Sequence, residues 1–201
     1  RTELPAYAST LGYSLELDAA TRLARDLVAQ GFRAQKWFPR WAPSKGREAL
    51  RRTVALFAAL RAAVGDDVEL MLDAWMSWDW PYAVAAVNEL APYRLRWIEE
   101  PFLPDQLDAY AALRARSPIP IAGGEHEYTR WGFLAWLQRN ALDVLQPDIY
   151  WAGGISETLK IAALASTYSI PMIPHGHSVP ATVQLLAALP EPVAPWVEYL
   201  L

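Results

Sequence analysis

A chain of 201 residues with 53% apolar side chains and a net charge of −4 can build one large core, and it lacks the positive field that nucleic acid binding requires. The absence of cysteine excludes disulfides and thiolate metal centres, which leaves oxygen and imidazole donors. No signal-like segment and no run of 18 apolar residues occurs, so the expectation is a cytoplasmic protein that does not enter a membrane, and the opening at Arg1 is expected of an excerpt from a longer polypeptide.

In chain order, short apolar runs alternate with Ala/Leu/Arg-rich stretches. The first predicted strand, 7–10, leads to a helix over 18–30, and strand 34–38 to a helix over 46–64. Strand 69–73 precedes helix 81–90, strand 96–99 precedes helix 104–117, and strand 119–122 precedes helix 129–139. Strands 144–146 and 172–174 are followed by helices 156–168 and 179–189, and a last strand covers 196–199. Such alternation implies a parallel sheet with helices outside it. The strands are almost continuously apolar, as expected when both sheet faces are covered. Eight strands and seven helices predict a TIM-type (β/α)7β barrel spanning residues 1–201 as one catalytic domain. The loop 37–45, with Trp41 and two prolines, is long enough to cover a pocket mouth.

Five acidic or imidazole residues end consecutive predicted strands: Asp73, Glu99, Glu125, Asp148 and His175, at spacings of 26, 26, 23 and 27 residues. One strand–helix unit has about this length, and in a parallel barrel all strand C-termini open onto one face, so these side chains converge. Taken singly, Asp73 is an ordinary helix cap, Glu99 a loop charge and Glu125 a helix start. Together, three carboxylates repel strongly unless a cation joins them, and they supply the hard oxygen donors that Mg2+ takes. Glu99 and Glu100 point to opposite sides of a strand, and Glu99 is assigned to the barrel axis with Glu100 as its neighbour or a structural charge. Asp148 can fix the tautomer of His175 and raise its basicity. His126 and His177 remain open as a second acid. Lys36 ends the second strand, where a buried ammonium can hold a substrate carboxylate, and Glu198 lies in the last strand.

The run Lys36, Asp73, Glu99, Glu125, Asp148, His175, Glu198, with the motifs WIEEP, GGE, QPD followed by GG, and IPxxPH, resembles the barrel domain of the enolase superfamily, mandelate racemase subgroup. LDxWMS at 72–77, GEH at 124–126, QPDxxWxGG at 146–154 and PHGxSV at 174–179 resemble the L-rhamnonate dehydratases within it. The resemblance implies Asp73, Glu99 and Glu125 as Mg2+ ligands, and His175 paired with Asp148 as the general base. It also implies Lys36 at the substrate carboxylate, Glu198 at the developing enolate, and His126 beside the site as a candidate acid. The implied reaction is Mg2+-dependent dehydration of an acid sugar to a 2-keto-3-deoxy acid, within carbohydrate catabolism. The implied partners are that small acid and further copies of the full-length chain, octameric in related enzymes.

Two departures from the family pattern matter. Phe38 stands where the second lysine of the Lys-x-Lys motif is found, which closes one face to proton transfer and disfavours racemisation. The N-terminal capping domain of the family is not within these residues. The alternatives are a racemase or epimerase of a 2-hydroxy acid that draws a second base from elsewhere, and a barrel that binds metal without turnover.

Overall fold

The computed structural model describes residues 1–41 and 43–201; Ala42, inside the predicted loop 37–45, lies outside the described residues. Among the described residues seven strands and seven α-helices follow one another, alternating except that α7 succeeds α6: β1 Ala6–Ser9, α1 Leu17–Ala29, β2 Ala34–Trp37, α2 Arg47–Val64, β3 Glu69–Asp73, α3 Trp80–Leu90 and β4 Trp97–Glu99, followed by α4 Leu107–Arg114, β5 Ile121–Gly123, α5 Thr129–Gln138, β6 Val144–Leu145, α6 Ile155–Thr167, α7 Val179–Ala188 and β7 Val197–Leu200. All pairings are parallel, in the order β6-β5-β4-β3-β2-β1-β7, so the last strand joins the first as a barrel requires.

The seventh predicted strand, 172–174, is reduced to an isolated parallel bridge between Leu145 and Met172. Proline explains this. Pro171 and Pro174 have no N–H, so only Met172 and Ile173 can donate, the first to Val193 O at 2.8 Å and the second to Leu145 O at 2.8 Å. The segment still holds the place of a strand, because His175 N–H reaches Pro147 O at 3.1 Å. Helix α4 is shorter than predicted: the chain turns at Pro104, with Gln106 N–H bonded to Leu103 O, before the helix begins. Helix α3 starts where its sequence directs, with the Asp79 carboxylate accepting from Tyr82 N–H at 2.9 Å and a proline in its first turn.

The two-residue strand period sorts the barrel interior into layers. The lower layer is apolar: Tyr7, Ala34, Met71, Trp97, Ala122, Val144 and Ile173, with Trp196 packed against them. Tyr7, Trp97 and Trp196 fill its centre with ring centroids 5.6–6.3 Å apart. Two residues further along seven of these eight segments stand Ser9, Lys36, Asp73, Glu99, Gln146, His175 and Glu198, so an apolar floor carries a polar layer at the strand C-termini. A larger apolar core lies between the sheet and the helices.

In the remaining segment, β5, the corresponding place is taken by Gly124, which adopts φ +116°, where an added Cβ would lie 2.7 Å from Phe133 Cε1. Gly124→Ala is therefore both strained and overpacked, and should lower the unfolding free energy by about 2–4 kcal/mol. Urea denaturation checks this: the midpoint should fall with an unchanged slope, and a wild-type midpoint would contradict it.

Candidate active site

Asp73 ends β3, Glu99 ends β4, and Glu125 follows β5 after the Gly123-Gly124 turn. One oxygen from each lies within 4.8 Å of the others, and all three residues are buried. The strand register sets this arrangement, since Asp73 pairs directly with Glu99. The predicted convergence of these three carboxylates is thus present in the geometry. Lys36 lies beside them, with Nζ 3.1 Å from Asp73 Oδ2, 2.8 Å from Glu198 Oε1, and hydrogen-bonded to Glu99 Oε1. Four buried carboxylates (Asp73, Glu99, Glu125 and Glu198) therefore face one ammonium. This donor set and its charge imbalance fit a hard divalent cation held by Asp73, Glu99 and Glu125.

The Asp148–His175 pair is formed as well. His175 Nδ1 donates to Asp148 Oδ2 at 2.9 Å, which leaves Nε2 turned to Glu125 Oε2 at 3.4 Å. Asp148 is oriented by the backbone N–H groups of Tyr150 and Trp151, at 2.8 and 3.1 Å. Burial alone would raise the Asp148 carboxyl, but the bonds from His175 and these two amides outweigh it, and its pKa is lowered. His177 lies further out, exposed, with Nδ1 3.5 Å from Asp148 Oδ2. Glu198 is fully buried and accepts the Gly176 N–H at 2.9 Å. A Cβ on Gly176 would sit 2.7 Å from Glu198 Cγ, so only glycine allows this approach of backbone to carboxylate.

The electrostatics report the shortage of positive charge. Burial, reinforced by Glu99, raises the Asp73 carboxyl well above its ordinary range. Burial also pushes Glu125 up to about 7 although His175 opposes the shift. For His175, burial works in the opposite sense, but the Asp148 bond and the Glu125 charge prevail and carry it up to about 9. Lys36 is likewise raised, desolvation being outweighed by Glu198 and Glu99.

Two side chains outside the predicted set support Glu99. Gln146 Nε2 donates to Glu99 Oε2 at 2.7 Å, and Trp97 Nε1 donates to the same oxygen at 3.0 Å. Both were within reach of the strand period, since Gln146 stands two residues before Asp148 and Trp97 two before Glu99. His126 Nδ1 lies 2.8 Å from Glu100 Oε2 and 3.6 Å from Glu125 Oε1, so it borders the carboxylates without joining the Asp148 pair. Among the described residues, no helix is long and apolar enough to cross a membrane.

Comparison with known proteins follows the same lines. A Caldivirga maquilingensis protein provisionally named L-rhamnonate dehydratase is 49% identical over 138 residues, covering 68% of this chain and 35% of the relative. The structure of rhamnonate dehydratase from Gibberella zeae complexed with Mg superposes with a TM-score of 0.86 at 33% identity, over 99% of this chain and 46% of that one. A racemase from Streptomyces coelicolor A3(2) with bound magnesium gives a TM-score of 0.87 at 35% identity, over 97% of this chain and 56% of that one. The chain thus spans about a third to a little over half the length of these relatives. Residues 19–200 match the enolase C-terminal domain-like family, and with the barrel and its carboxylate layer in place the chain belongs to that family.

Proposed function

We propose that this domain is the catalytic barrel of a Mg2+-dependent acid sugar dehydratase, a hydro-lyase acting on a carboxylate that carries a C2 proton and a C3 hydroxyl. The observation that carries the reading is the buried Asp73/Glu99/Glu125 set faced, at 3.4 Å from Glu125, by Nε2 of one carboxylate-bound imidazole, His175. Bound Mg2+ would supply Lewis-acid stabilisation of charge developing on the substrate carboxylate. Lys36, in reach of the same region, would hydrogen-bond that carboxylate, and Glu198, whose carboxyl burial would raise but Lys36 and His175 hold below its ordinary range, would keep the ammonium in place from 2.8 Å. His175 Nε2 removes the C2 proton. The C2–H electron pair forms the C2–C3 double bond, the C3–O bond breaks, and the imidazolium returns its proton to the leaving hydroxyl as water. The enol that remains tautomerises to a 2-keto-3-deoxy acid.

A racemase is the second reading, favoured by the Streptomyces relative. Against it stands Phe38, an apolar ring with the Lys36 ammonium 5.2 Å from its centroid, where a second proton carrier would be needed. The test is to incubate the intact protein with Mg2+ and a panel of acid sugars in D2O. Dehydration gives 2-keto-3-deoxy acids. Deuterium at C2 with no loss of water would instead establish the racemase.

Metal binding should also release protons. Glu125, at about 7, must ionise to ligate, and a divalent charge beside His175 drives down a pKa of about 9, so both groups lose protons at pH 7. Calorimetric binding enthalpies should vary with the ionisation enthalpy of the buffer, and affinity for Mg2+ should weaken as pH falls below about 9 and more steeply below about 7. A buffer-independent enthalpy would contradict this.

A further inference from the structure

We propose that Glu100 is a positioning residue: its carboxylate holds His126 with the proton on Nδ1, so that Nε2 is the nitrogen offered to a hydroxyl of the substrate. Glu100 lies outside the Asp73/Glu99/Glu125 set: it follows the last residue of β4, and its carboxylate gathers with Glu125 and His126 instead. It adopts φ +43°, unusual for a residue with a side chain, and is fastened on both sides. Its N–H donates to Ala122 O at 3.0 Å and its carbonyl accepts from Met76 N–H at 2.6 Å. The carboxylate is 2% exposed, and among the described residues its one side-chain hydrogen bond is the 2.8 Å contact with His126 Nδ1.

This copies the construction around His175. In both cases a buried carboxylate takes Nδ1, and the ring is left partly open to the mouth. A histidine kept only for structure usually has both nitrogens engaged, whereas His126 has one engaged among the described residues. The three histidines of the chain also gather around one ring, Trp151, with centroids 5.8, 6.2 and 5.9 Å away for His126, His175 and His177. His126 therefore borders the same pocket as the base. A carboxylate can only accept, so Nδ1 carries hydrogen whether the ring is neutral or charged. A free neutral imidazole prefers the other tautomer, and this makes the Glu100 effect visible.

The hydroxyl contact rests on the acid sugar reading above, while the tautomer does not, and the experiment separates them. The intact protein labelled with 15N-histidine gives two-bond proton–nitrogen spectra of the neutral ring, with His126 identified by its loss in His126→Asn. Wild type and Glu100→Gln, whose amide oxygen still accepts, should show the Nδ1–H pattern, and Glu100→Leu the Nε2–H pattern. Where Leu impairs folding, Glu100→Asp, one methylene shorter, withdraws the acceptor in its place. An unchanged Nδ1–H pattern in the variant that lacks the acceptor overturns the proposal. In kinetics, that variant should raise KM for the best acid sugar roughly five- to tenfold, as for loss of one hydrogen bond, with kcat within about twofold and Gln close to wild type. A fall in kcat at constant KM also overturns it. If wild type dehydrates no acid sugar, the dehydratase reading fails, and the spectra alone decide whether Glu100 sets the tautomer.

Discussion

The His175→Asn protein is expected to bind Mg2+ at least as tightly as wild type, since no imidazolium has to lose its proton, and to dehydrate acid sugars roughly ten-thousandfold more slowly. In the proposed reaction His175 would serve twice, as base toward C2 and as acid toward the C3 hydroxyl, which places the expected loss at the upper end for acid–base groups. Metal binding should survive because Asp73, Glu99 and Glu125 make no covalent or backbone use of His175; the contact is one 3.4 Å approach of Nε2 to Glu125 Oε2. Asn is close in shape to half of the imidazole and can still donate to Asp148. Calorimetry with Mg2+ and a product assay on the intact protein check the two halves independently. Turnover within tenfold of wild type would move the base to another residue, with His126 and His177 the next to replace.

Lys36→Met should have the largest effect on stability. Lys36 is 1% exposed and is the ammonium that faces Asp73, Glu99 and Glu198 together. Met keeps most of the volume and removes the charge, so the buried carboxylates lose their counter-ion. Breaking a buried pair in this way costs about 3–5 kcal/mol. For a domain of this size that lowers Tm by roughly 6–20 °C in the metal-free protein. Two recoveries should accompany the loss. Mg2+ at about a hundred times its Kd should restore roughly 2.7 kcal/mol to any variant that still binds it. Lower pH should also help. A carboxyl raised on folding, as Asp73 already is, contributes stability that is present in acid and lost as pH rises through its folded pKa, so the variant should gain stability as pH falls. A variant as stable as wild type without metal, at neutral pH, would show that Lys36 does not balance these charges.

The sequence made the barrel and the strand-end residues legible because both follow one rule. A buried strand reads as a short apolar run, and its downstream end in a parallel barrel is the site, so Asp73, Glu99, Glu125, Asp148 and His175 could be placed by counting from one run to the next. The carboxylate set and the His175–Asp148 contact then depended on register, and the direct pairing of Asp73 with Glu99 supplied it. The strand at 172–174 was less legible, because its apolar pattern is that of a strand while Pro171 and Pro174 remove the donors a ladder needs. The contact of Glu100 with His126 was not legible at all. It depends on a left-handed residue at the end of β4, where strand alternation no longer applies and no residue pattern announces the turn.

Seven of the eight segments around the barrel contribute one floor residue and, two positions later, one polar residue, and the two face the same interior. The chemistry is therefore divisible by strand. Exchanging Gln146 or His175 alters one sector of the polar ring while the Tyr7–Trp97–Trp196 plug beneath is left in place. Proteins built this way can acquire a new reaction by substitutions at the rim while the packing beneath is left untouched. For this chain the practical corollary is that Lys36 couples the two layers through charge, so a variant library of the polar ring should return mostly folded proteins only where that ammonium is kept.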